Sequence, residues 1–459
     1  MGNNLYAGFD LGTTFVKVGL CNGNGERVGL GHRPFVKDED ASGRCTVPVA
    51  RFKELVSEAF REALAEAGCT PAALRGVSYC SQANTFLLLD NQDRPLTPLI
   101  VWPDLRAAPL SESLSAFTST EAFLQASGQG LIGPQWMPSK LEWFRRQEPE
   151  LWSQTARVLT ISDYLSFLLT GQYIGDSGTA ALTGLWDLRE ERWNTTMLDL
   201  LELKPEALPE LHRPCALTVK TGKDAAAWLG IPEGTPFTVG ALDHHAAALG
   251  GGIGREAPVS VSFGTSLVCF RFEESYVPLR GSCLGPATEP GRFYRIAFNA
   301  PGASAMDWYR RDYAPESSFE ALLASAEHIP PGCDGLRAVS ENGRILFKTE
   351  TAAAGMRNKK KSTFNAQRST LNAQGLGQGY YVRAVMELTG RNTASLLKDL
   401  AAGETPVPRI LAVGGAARSD LWMRIVEETS GVAVSPARPA DTAAKGAALF
   451  ALTRERVNT

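Results

Sequence analysis

Two similar strand–turn–strand segments constrain how this chain can fold. The first passes through Asp10-Leu11-Gly12-Thr13-Thr14 and the second through Ser262-Phe263-Gly264-Thr265-Ser266. In each, a glycine and two adjacent hydroxyl residues interrupt residues that favour β-strands. Gly-Thr turns between strands are common by chance, but two matched copies half a chain apart predict an internal duplication. We therefore expect each half of the chain to begin with the same hairpin.

Size and pattern indicate more than one domain of the α/β class. The 459 residues exceed what one ordinary hydrophobic core organises, and 44% hydrophobic with 21% charged residues is typical of a soluble globular protein. Apolar positions at helical spacing over residues 51–67 alternate with β-prone segments elsewhere along the chain. Strands that alternate with helices favour an α/β architecture.

Charge and cysteine usage exclude several classes of function. A net charge of −3 and a pI near 6.1 give no basic surface for nucleic acid or an anionic membrane. No apolar run approaches the roughly 18 residues that span a bilayer. The first residues contain no basic n-region or apolar h-region, so we expect no signal peptide. The eight cysteines are scattered without a CxxC pair, as expected of free thiols in a reducing cytosol. We expect a cytoplasmic protein.

The two Gly-Thr turns are candidates for binding phosphate, because such turns expose consecutive backbone N–H groups beside hydroxyl donors. Asp10 would repel a phosphate unless a divalent cation, such as Mg²⁺, lay between them. Lys17 could reach a terminal phosphate, or it could be an ordinary exposed strand residue. Facing turns from two domains would hold a nucleotide triphosphate in a cleft. Since GxxxxGK[ST] is absent from the sequence, a P-loop enzyme is excluded.

A second glycine motif is a candidate for the other end of the nucleotide. Gly414-Gly415 follows an apolar strand and precedes a helix start, where glycines permit close approach of a ring or ribose. The alternative is a packing role, which is the commoner use of such a turn. The weaker cluster Gly375, Gly377 and Gly379 is interpreted as a flexible entry into a helix over 380–390.

Asp243 is the candidate general base. It follows a strand that we predict to end at Gly240, and it opens a small-residue helix just before the second Gly-Thr turn. A carboxylate there could accept a proton from a substrate hydroxyl that attacks a γ-phosphate. The alternative is a helix N-cap. His244 and His245 point about 100° apart on a helix with no third ligand, so we predict no metal site from them.

Polar residues among apolar ones mark a candidate substrate site. Gln82 and Asn84 follow a strand, and Trp102-Pro103-Asp104-Leu105-Arg106 forms a second polar segment. Amides, a carboxylate and an arginine can bind the hydroxyls of a polyol, and the face of a tryptophan suits the C–H side of a sugar. The alternative for Asp104 and Arg106 is an ion pair that fixes a loop beside a buried tryptophan.

Together these motifs resemble the FGGY carbohydrate kinases, which share the actin/Hsp70-type ATPase fold. The resemblance covers nearly the whole chain, and the order and spacing of its short motifs make it specific. The segments that carry it are "GFDLGTTFVKVGL", "SQANTFLLLDNQDRPLTPLIVWPDLRA", "DYLSFLLTGQYIGDSGTAALTGLWDL", "VGALDHHAAALGGG", "VSFGTSL", "NAPGASAMDWYRR", "YYVRAVMEL" and "AVGGAARSDLWMRIVEETSGVAVSP".

The resemblance implies two actin-like (ribonuclease H-like) domains, each a mixed sheet flanked by helices, with a cleft between them. It implies a sugar-binding domain over 1–246 and a nucleotide-binding domain over 247–459. It also implies ATP and Mg²⁺ as cofactors, with Asp243 as catalytic base and Asp10 as the carboxylate near the metal. The positions that match nucleotide contacts are Gly12, Thr13, Thr14, Lys17, Gly264, Thr265, Gly302, Gly415 and Ser419. Those that match sugar or polyol contacts are Gln82, Ala83, Asn84, Trp102, Asp104 and His244.

Departures from the family pattern limit what can be said of the substrate. Glycerol kinases resemble "NQRET" near Gln82 and xylulose kinases "GQMHG", whereas this chain has Ser81-Gln82-Ala83-Asn84-Thr85. The resemblance therefore predicts neither glycerol nor D-xylulose. The segment 355–379 lacks the family pattern, and its run Lys359-Lys360-Lys361 is interpreted as a solvated loop.

We therefore predict an ATP-dependent kinase that phosphorylates a hydroxyl, expected to be primary, of a small ketose or polyol. Two alternatives remain: a nucleotide-dependent switch of the actin/Hsp70 type, and a sugar-binding sensor with weak kinase activity. The expected partner is a small sugar or polyol, with no nucleic acid or membrane, and a homodimer is one assembly that the sequence leaves open.

Overall fold

Mixed sheets flanked by helices form both structural units of the chain, seen here in a computed structural model. The model describes residues 4–130, 132–341, 344–349, 376–401, 407–437 and 441–458. Unit 1 comprises residues 1–250, 272–295 and 441–459, and unit 2 comprises residues 251–271 and 296–440. The units are thus built from discontinuous segments. The domain boundary between residues 246 and 247, which the family resemblance implies, stays a prediction.

The strands of the described chain are β1 Leu5–Leu11, β2 Phe15–Asn22, β3 Arg27–Pro34, β4 Asp38–Glu39, β5 Cys45–Val47, β6 Leu74–Ser81, β7 Phe86–Leu89, β8 Leu99–Ile100, β9 Arg157–Thr160, β10 Ile174–Asp176, β11 Trp186–Asp187, β12 Arg192–Trp193, β13 Glu210–His212, β14 Thr218–Lys220, β15 Pro236–Leu242, β16 Val259–Phe263, β17 Ser266–Glu273, β18 Cys283–Pro286, β19 Phe293–Pro301, β20 Leu336–Glu341, β21 Arg344–Thr349, β22 Arg409–Val413 and β23 Ala433–Pro436.

The helices are α1 Val49–Glu66, α2 Glu112–Thr118, α3 Glu121–Ser127, α4 Met137–Gln147, α5 Pro149–Gln154, α6 Ile161–Thr170, α7 Ser177–Ala181, α8 Thr195–Leu201, α9 Lys223–Leu229, α10 Asp243–Gly251, α11 Ser304–Tyr313, α12 Phe319–Ser325, α13 Gln378–Ala401, α14 Asp420–Ser430 and α15 Thr442–Asn458.

The main sheet of unit 1 has the strand order β14-β15-β6-β1-β2-β3. Strands β1, β6 and β15 run parallel to one another, while β2 and β3 complete an antiparallel meander. The register places Asp10 beside Cys80 and Ser81 beside Leu242. Because the three parallel strands end together, the residues that follow them lie at one edge of the sheet. This edge carries the candidate site.

Unit 1 also contains a five-stranded sheet of order β4-β5-β8-β7-β9 and the pairs β10-β13 and β11-β12. Helix α1 packs against the main sheet through an apolar stripe that includes the buried residues Phe52, Val56 and Phe60. Helix α6 begins with a capping box between Thr160 and Asp163 and ends at Gly171, which adopts the left-handed conformation. Gly171 is thus the C-cap of α6.

In unit 2 the strands β19, β17, β16, β22 and β23 lie in that order. Strand β16 pairs antiparallel with β17 and parallel with β22, which in turn pairs parallel with β23. Unit 1 repeats this arrangement with β3, β2, β1, β6 and β15. The repeated order confirms the internal duplication that the two Gly-Thr hairpins predict.

Other predicted elements agree in type and differ in extent. Helix α1 occupies Val49–Glu66 where residues 51–67 were expected. Strand β15 continues two residues past the predicted end at Gly240, to Leu242. Helix α13 extends beyond 380–390, and the predicted loop at Lys359-Lys360-Lys361, like Gly375, lies outside the described residues. All eight cysteines are free thiols.

Within the part of the chain that the structure describes, every helix is too short or too polar to cross a membrane.

Candidate active site

Three candidate residues of unit 1 meet where parallel strands end. Asp10 is the last residue but one of β1, Gln82 follows β6, and Asp243 follows β15. The Asp243 carboxylate is among the groups that raise the pKa of Asp10. The carboxyl ends of parallel strands commonly form ligand sites in α/β proteins. The structure therefore brings together the two carboxylates that the sequence singled out.

Asp10 is nearly buried, with 5% of its surface exposed. The thiol of Cys80 on β6 donates a hydrogen bond to its Oδ1 atom at 3.6 Å. Burial raises the pKa of Asp10 to about 6; the neighbouring Asp243 adds to this rise, and Lys17 opposes it. An added cation at this edge would favour the ionised form of both carboxylates.

Asp243 is the first residue of α10, and its side chain keeps 21% exposure. Its Oδ1 accepts the amide N–H of His244 at 2.7 Å, and the backbone N–H of Asp243 itself also bonds the carboxylate. Burial raises the pKa of Asp243 above the usual range, while His244 and that amide oppose the rise. Backbone N–H groups at the start of α10 thus orient the carboxylate, whose ionised form can accept a proton.

The two adjacent histidines have different surroundings. His244 is partly exposed, and its Nε2 lies 3.9 Å from Asp243 Oδ1. His245 is buried with its ring edge-on to Phe272, Tyr294 and Phe450, and burial lowers its pKa to about 3. Among the described residues no group of three His, Cys, Asp or Glu side chains could by itself hold a metal ion.

Lys17 makes an ion pair that neither sequence interpretation anticipated. Its Nζ lies 3.0 Å from Oδ1 of Asp441, the residue before α15, and Arg27 lies 3.5 Å from the other oxygen of that carboxylate. Lys17 still interacts electrostatically with Asp10 across the sheet edge. The Lys17 ammonium thus forms an ion pair with Asp441 and also stabilises the charged form of Asp10.

The first Gly-Thr turn is hydrogen-bonded to the predicted substrate residues. The Thr13 hydroxyl donates to Gln82 Oε1 at 3.2 Å and accepts from Trp102 Nε1 at 2.9 Å. The Gln82 amide nitrogen donates to the carbonyl of Gly12 at 3.2 Å. Thr85 joins the same network, since its Oγ1 donates a hydrogen bond to Gln82 Oε1 at 3.1 Å and accepts one from the backbone N–H of Trp102 at 3.0 Å. Turn and loops form one polar network.

Asn84 adopts the left-handed backbone conformation, with φ of 62°. Its side-chain nitrogen donates to the carbonyl of Leu182 at 2.9 Å, and its oxygen accepts the N–H of Met137 at the start of α4 at 2.9 Å. Asparagine tolerates this conformation better than most residues. Because both ends of its side-chain amide are hydrogen-bonded, Asn84 fixes the loop. The adjacent Ala83 is partly exposed.

Asp104 is fully buried and makes a two-bond ion pair with Arg106 at 2.8 and 2.9 Å. It also accepts the backbone N–H groups of Cys45 at 2.6 Å and Arg106 at 3.0 Å. These are the contacts expected of the loop-fixing alternative. Trp102, by contrast, is half-buried and belongs to the network around Thr13.

In unit 2 the structure brings Gly302 to the second Gly-Thr turn. The N–H of Gly302 donates to Thr265 O at 3.2 Å, and the next N–H, of Ala303, donates to Gly264 O at 2.6 Å. A Cβ atom on Gly302 would lie 2.4 Å from the carbonyl oxygen of Gly264, so only glycine fits there. Ser304 also donates to Thr265 O at 2.6 Å. The turn is held from the start of α11.

The Gly414-Gly415 turn lies beside the same hairpin. Gly414 has φ of 93°, and a Cβ atom there would lie 3.0 Å from the backbone of Phe263. At Gly415 a Cβ atom would have no neighbour within 4 Å in the described chain. Ser419 accepts the N–H of Trp422 at 3.1 Å and so caps α14. Gly414 thus has the packing role, and Gly415 has open space beside it.

Several residues of the site were missed by sequence reasoning. Cys80, Thr85 and Asp441 contact Asp10, Gln82 and Lys17 respectively. Polar residues that directly follow or precede a buried apolar run give a weak signal for Thr85 and Asp441. Cys80 gives none, because a cysteine inside a strand is most often an apolar packing residue.

Comparison with known proteins identifies the family of the chain. The model of the N-terminal domain of the FGGY family of carbohydrate kinases matches residues 5–250, and the model of its C-terminal domain matches residues 259–454. The chain is 26% identical over 452 residues to a xylulose kinase of Bacillus subtilis, covering 97% of this chain and 87% of that protein. It is 25% identical over 470 residues to an autoinducer-2 kinase of Escherichia coli, covering 96% and 84%.

Solved structures show the same fold. The crystal structure of xylulose kinase from Rhodospirillum rubrum aligns with a TM-score of 0.79 and 25% identity, covering 99% of this chain and 90% of that one. The two units therefore have the two-domain actin-like ATPase fold. Both family models together span nearly the whole chain. The protein is a carbohydrate kinase, a phosphotransferase with an alcohol acceptor, and belongs to the FGGY family.

Proposed function

We propose that this kinase transfers the γ-phosphate of ATP to a primary hydroxyl of a small ketose or polyol, with Asp243 as general base. The observation that carries the proposal is the edge of the unit 1 sheet. There, Asp243 contributes to the raised pKa of Asp10, and the Gly12–Thr14 turn is hydrogen-bonded to Gln82 and Trp102. A base, a phosphate-binding turn and a set of sugar-binding groups are thus available on one unit.

In the proposed step the acceptor oxygen forms a bond to the γ-phosphorus while the bond from that phosphorus to the bridging oxygen of ADP breaks. The acceptor proton passes to the Asp243 carboxylate, which backbone N–H groups at the start of α10 orient. Such transfers depend mainly on positioning and charge neutralisation, so an aspartate suffices as the base.

The site fits a magnesium ion bound together with phosphates. Mg²⁺ is commonly held by one or two carboxylates plus substrate phosphates, with water completing its shell. Asp10 supplies a nearly buried carboxylate with a raised pKa beside a second carboxylate, which is the donor chemistry that a divalent cation stabilises. When bound, the ion would neutralise charge on the transferred phosphoryl group.

Each Gly-Thr turn is assigned phosphate contacts on its own unit. In unit 1 these come from Gly12, Thr14 and the ammonium of Lys17; Thr13 contributes through its backbone, because its hydroxyl is already bonded to Gln82 and Trp102. In unit 2 they come from Gly264 and Thr265, with Gly302 supporting the turn. The open space beside Gly415 suits the nucleoside, and Ser419 supports that end by capping α14. These assignments give unit 2 the nucleotide-binding role.

The acceptor is assigned to Gln82, Ala83, Trp102 and His244, with Asn84 and Asp104 shaping the loops. The relatives are named for xylulose and for autoinducer-2, which suggests small, hydroxyl-rich acceptors. The sequence Ser81-Gln82-Ala83-Asn84-Thr85 differs from the loops of both glycerol and xylulose kinases, so a ketose, deoxyketose or polyol distinct from these is expected.

The test is a screen of ketoses, deoxyketoses and polyols, D-xylulose and glycerol included, for stimulation of ADP release. An acceptor that stimulates release from the wild-type protein and not from Asp243→Asn supports the proposal. Equal acceptor-dependent release by both proteins contradicts the role of Asp243. ATP hydrolysis that no acceptor changes would favour the nucleotide-dependent switch. Thermal stabilisation by a sugar without phosphorylated product would favour the sensor.

A further inference from the structure

Lys140 is a lysine in the fully buried face of α4. It shares that face with Met137, Leu141 and Phe144. Its Nζ lies within hydrogen-bonding distance of three backbone carbonyl oxygens: that of Asn84 at 3.4 Å, of Val101 at 3.2 Å and of Trp102 at 3.0 Å. An ammonium has three N–H donors, and this position offers an acceptor for each.

A buried ammonium is costly unless it is hydrogen-bonded and compensated by opposite charge. Here the compensation comes from the carboxylate of Asp104, while Arg106 opposes it. A leucine or methionine would fill the same apolar face without that cost. The charged residue is therefore explained by its three acceptors, which belong to two separate loops.

These two loops carry the acceptor residues. Asn84 lies in the loop after β6, beside Gln82 and Ala83, and Val101 and Trp102 begin the loop after β8. The first turn of α4 contacts Asn84 a second time, through the Met137 N–H and the side-chain oxygen of Asn84 at 2.9 Å. Helix α4 thus holds the first loop by backbone and side chain, and Lys140 ties it to the second loop.

We propose that Lys140 is a positioning residue for the acceptor site, fixing the loop of Asn84 and the loop of Trp102 in one arrangement through its three carbonyl contacts. The proposal rests on the proposed function, since it takes Gln82 and Trp102 as acceptor contacts. Lys140 itself is fully buried and acts through these loops without contacting the acceptor.

The same contacts make the arrangement sensitive to pH. Burial lowers the pKa of Lys140 to about 7; Asp104 and Cys45 oppose this change, and Arg106 reinforces it. A neutral amine has two N–H donors and a lone pair, so it cannot donate to all three carbonyls. Acceptor binding should therefore weaken as the pH rises through about 7.

The decisive variant is Lys140→Met, which keeps the length of the side chain and removes its donors and charge. Lys223→Met, at an exposed position on α9, is the matched control. With the acceptor from the screen, we expect Lys140→Met to raise the acceptor KM at least tenfold, while kcat changes less than threefold and the KM for ATP less than twofold. A lower kcat with an unchanged acceptor KM would overturn the proposal, because loss of folded enzyme alone gives that result.

Two further measurements keep the proposal testable if the variant folds poorly or no acceptor is found. In the wild-type protein the acceptor KM should rise at least threefold from pH 6 to pH 8.5; a flat profile would contradict the role of Lys140. Without any ligand, hydrogen exchange of segments 82–87 and 99–104 should be at least tenfold faster in Lys140→Met than in Lys223→Met. Unchanged exchange there, or equal acceleration throughout unit 1, would overturn the proposal even if the kinase assignment fails separately.

Discussion

The indole N–H of Trp102 donates a hydrogen bond to the hydroxyl of Thr13 at 2.9 Å, and that hydroxyl in turn donates to Gln82 at 3.2 Å. The turn assigned to phosphate is therefore bonded directly to two residues assigned to the acceptor. A change at Thr13 should be felt first by the acceptor, because its hydroxyl has no donor left for phosphate.

Thr13→Val removes that hydroxyl and keeps the shape of the side chain. We expect the acceptor KM to rise roughly tenfold, as loss of one or two buried hydrogen bonds implies about 1–2 kcal/mol, with the KM for ATP changed less than threefold. Steady-state kinetics with each substrate varied in turn would show this. A larger effect on the KM for ATP than on the acceptor KM would return Thr13 to the phosphate site.

Asp243 should control the acid side of the pH–rate profile. An ordinary aspartate has a pKa near 4, and burial raises the pKa of Asp243 above that value. The ionised base is therefore lost at a higher pH than it would be for an ordinary aspartate. Acceptor kcat/KM should therefore decline on acidification earlier than an ordinary aspartate would cause. Asp243→Asn should lower kcat by about 100- to 10,000-fold, as expected for loss of a general base.

The measurement is the pH dependence of kcat/KM for wild type and Asp243→Asn, with nucleotide affinity measured by calorimetry. Nucleotide affinity should stay near that of the wild type, and the residual rate should lose the acid limb that Asp243 causes. A normal rate in the variant, or a variant that no longer binds nucleotide, would contradict the assignment of Asp243 as base.

Sequence reasoning singled out the candidate site because the pattern that marks it is local. Asp10 lies at the end of the apolar strand β1 and Asp243 directly follows the apolar strand β15, and parallel strands bring such residues to one sheet edge. The duplicated hairpin predicted the repeated strand order for the same reason. These features depend on short-range pattern, which one sequence contains.

What the sequence could not show depends on contacts between distant segments. Lys17 pairs with Asp441, 424 positions later, and Cys80 donates to Asp10 from a neighbouring strand. Lys140 does have a sequence signal, because a lysine between Met137 and Leu141 interrupts the apolar face of a helix. The discontinuous units follow from the return of α15 to unit 1, which no local pattern predicts.

Replacing Asp10 should stabilise the folded protein while lowering its activity. The folded-state pKa of Asp10 is about 6, above the ordinary 3.8, so its contribution to stability is present below pH 3.8 and is lost as the pH rises through 6. At pH 8 the wild-type protein therefore bears the cost of a buried charge, and Asp10→Asn should gain roughly 1–3 kcal/mol in free energy of unfolding.

Urea denaturation at pH 4 and pH 8, without nucleotide or metal, would measure this gain. It should shrink towards zero at pH 4, and Asp224→Asn on the exposed surface of α9 should change the free energy of unfolding by less than ~0.5 kcal/mol at both values. A variant less stable than wild type at pH 8 would show that contacts with Lys17 and Cys80 outweigh the cost of burial.

The close packing of α15 on β1 gives the last prediction. A Cβ atom on Gly8 would lie 2.2 Å from the backbone nitrogen of Ala448 and 2.4 Å from the carbonyl oxygen of Ala444, so the helix must move if a methyl group is added. Because both clashing atoms are backbone atoms, no rotamer change relieves the clash, and Gly8→Ala should lower the free energy of unfolding by at least about 1–3 kcal/mol.

Gly23→Ala is the matched control, since a Cβ atom there has no neighbour within 4 Å in the described chain. Thermal unfolding should show a lowered Tm for Gly8→Ala alone. Activity should fall with it, because Asp10 lies two residues further along β1 and Asp441 immediately precedes α15. Equal Tm values for the two variants would mean that α15 does not pack against Gly8 closely enough to exclude a methyl group.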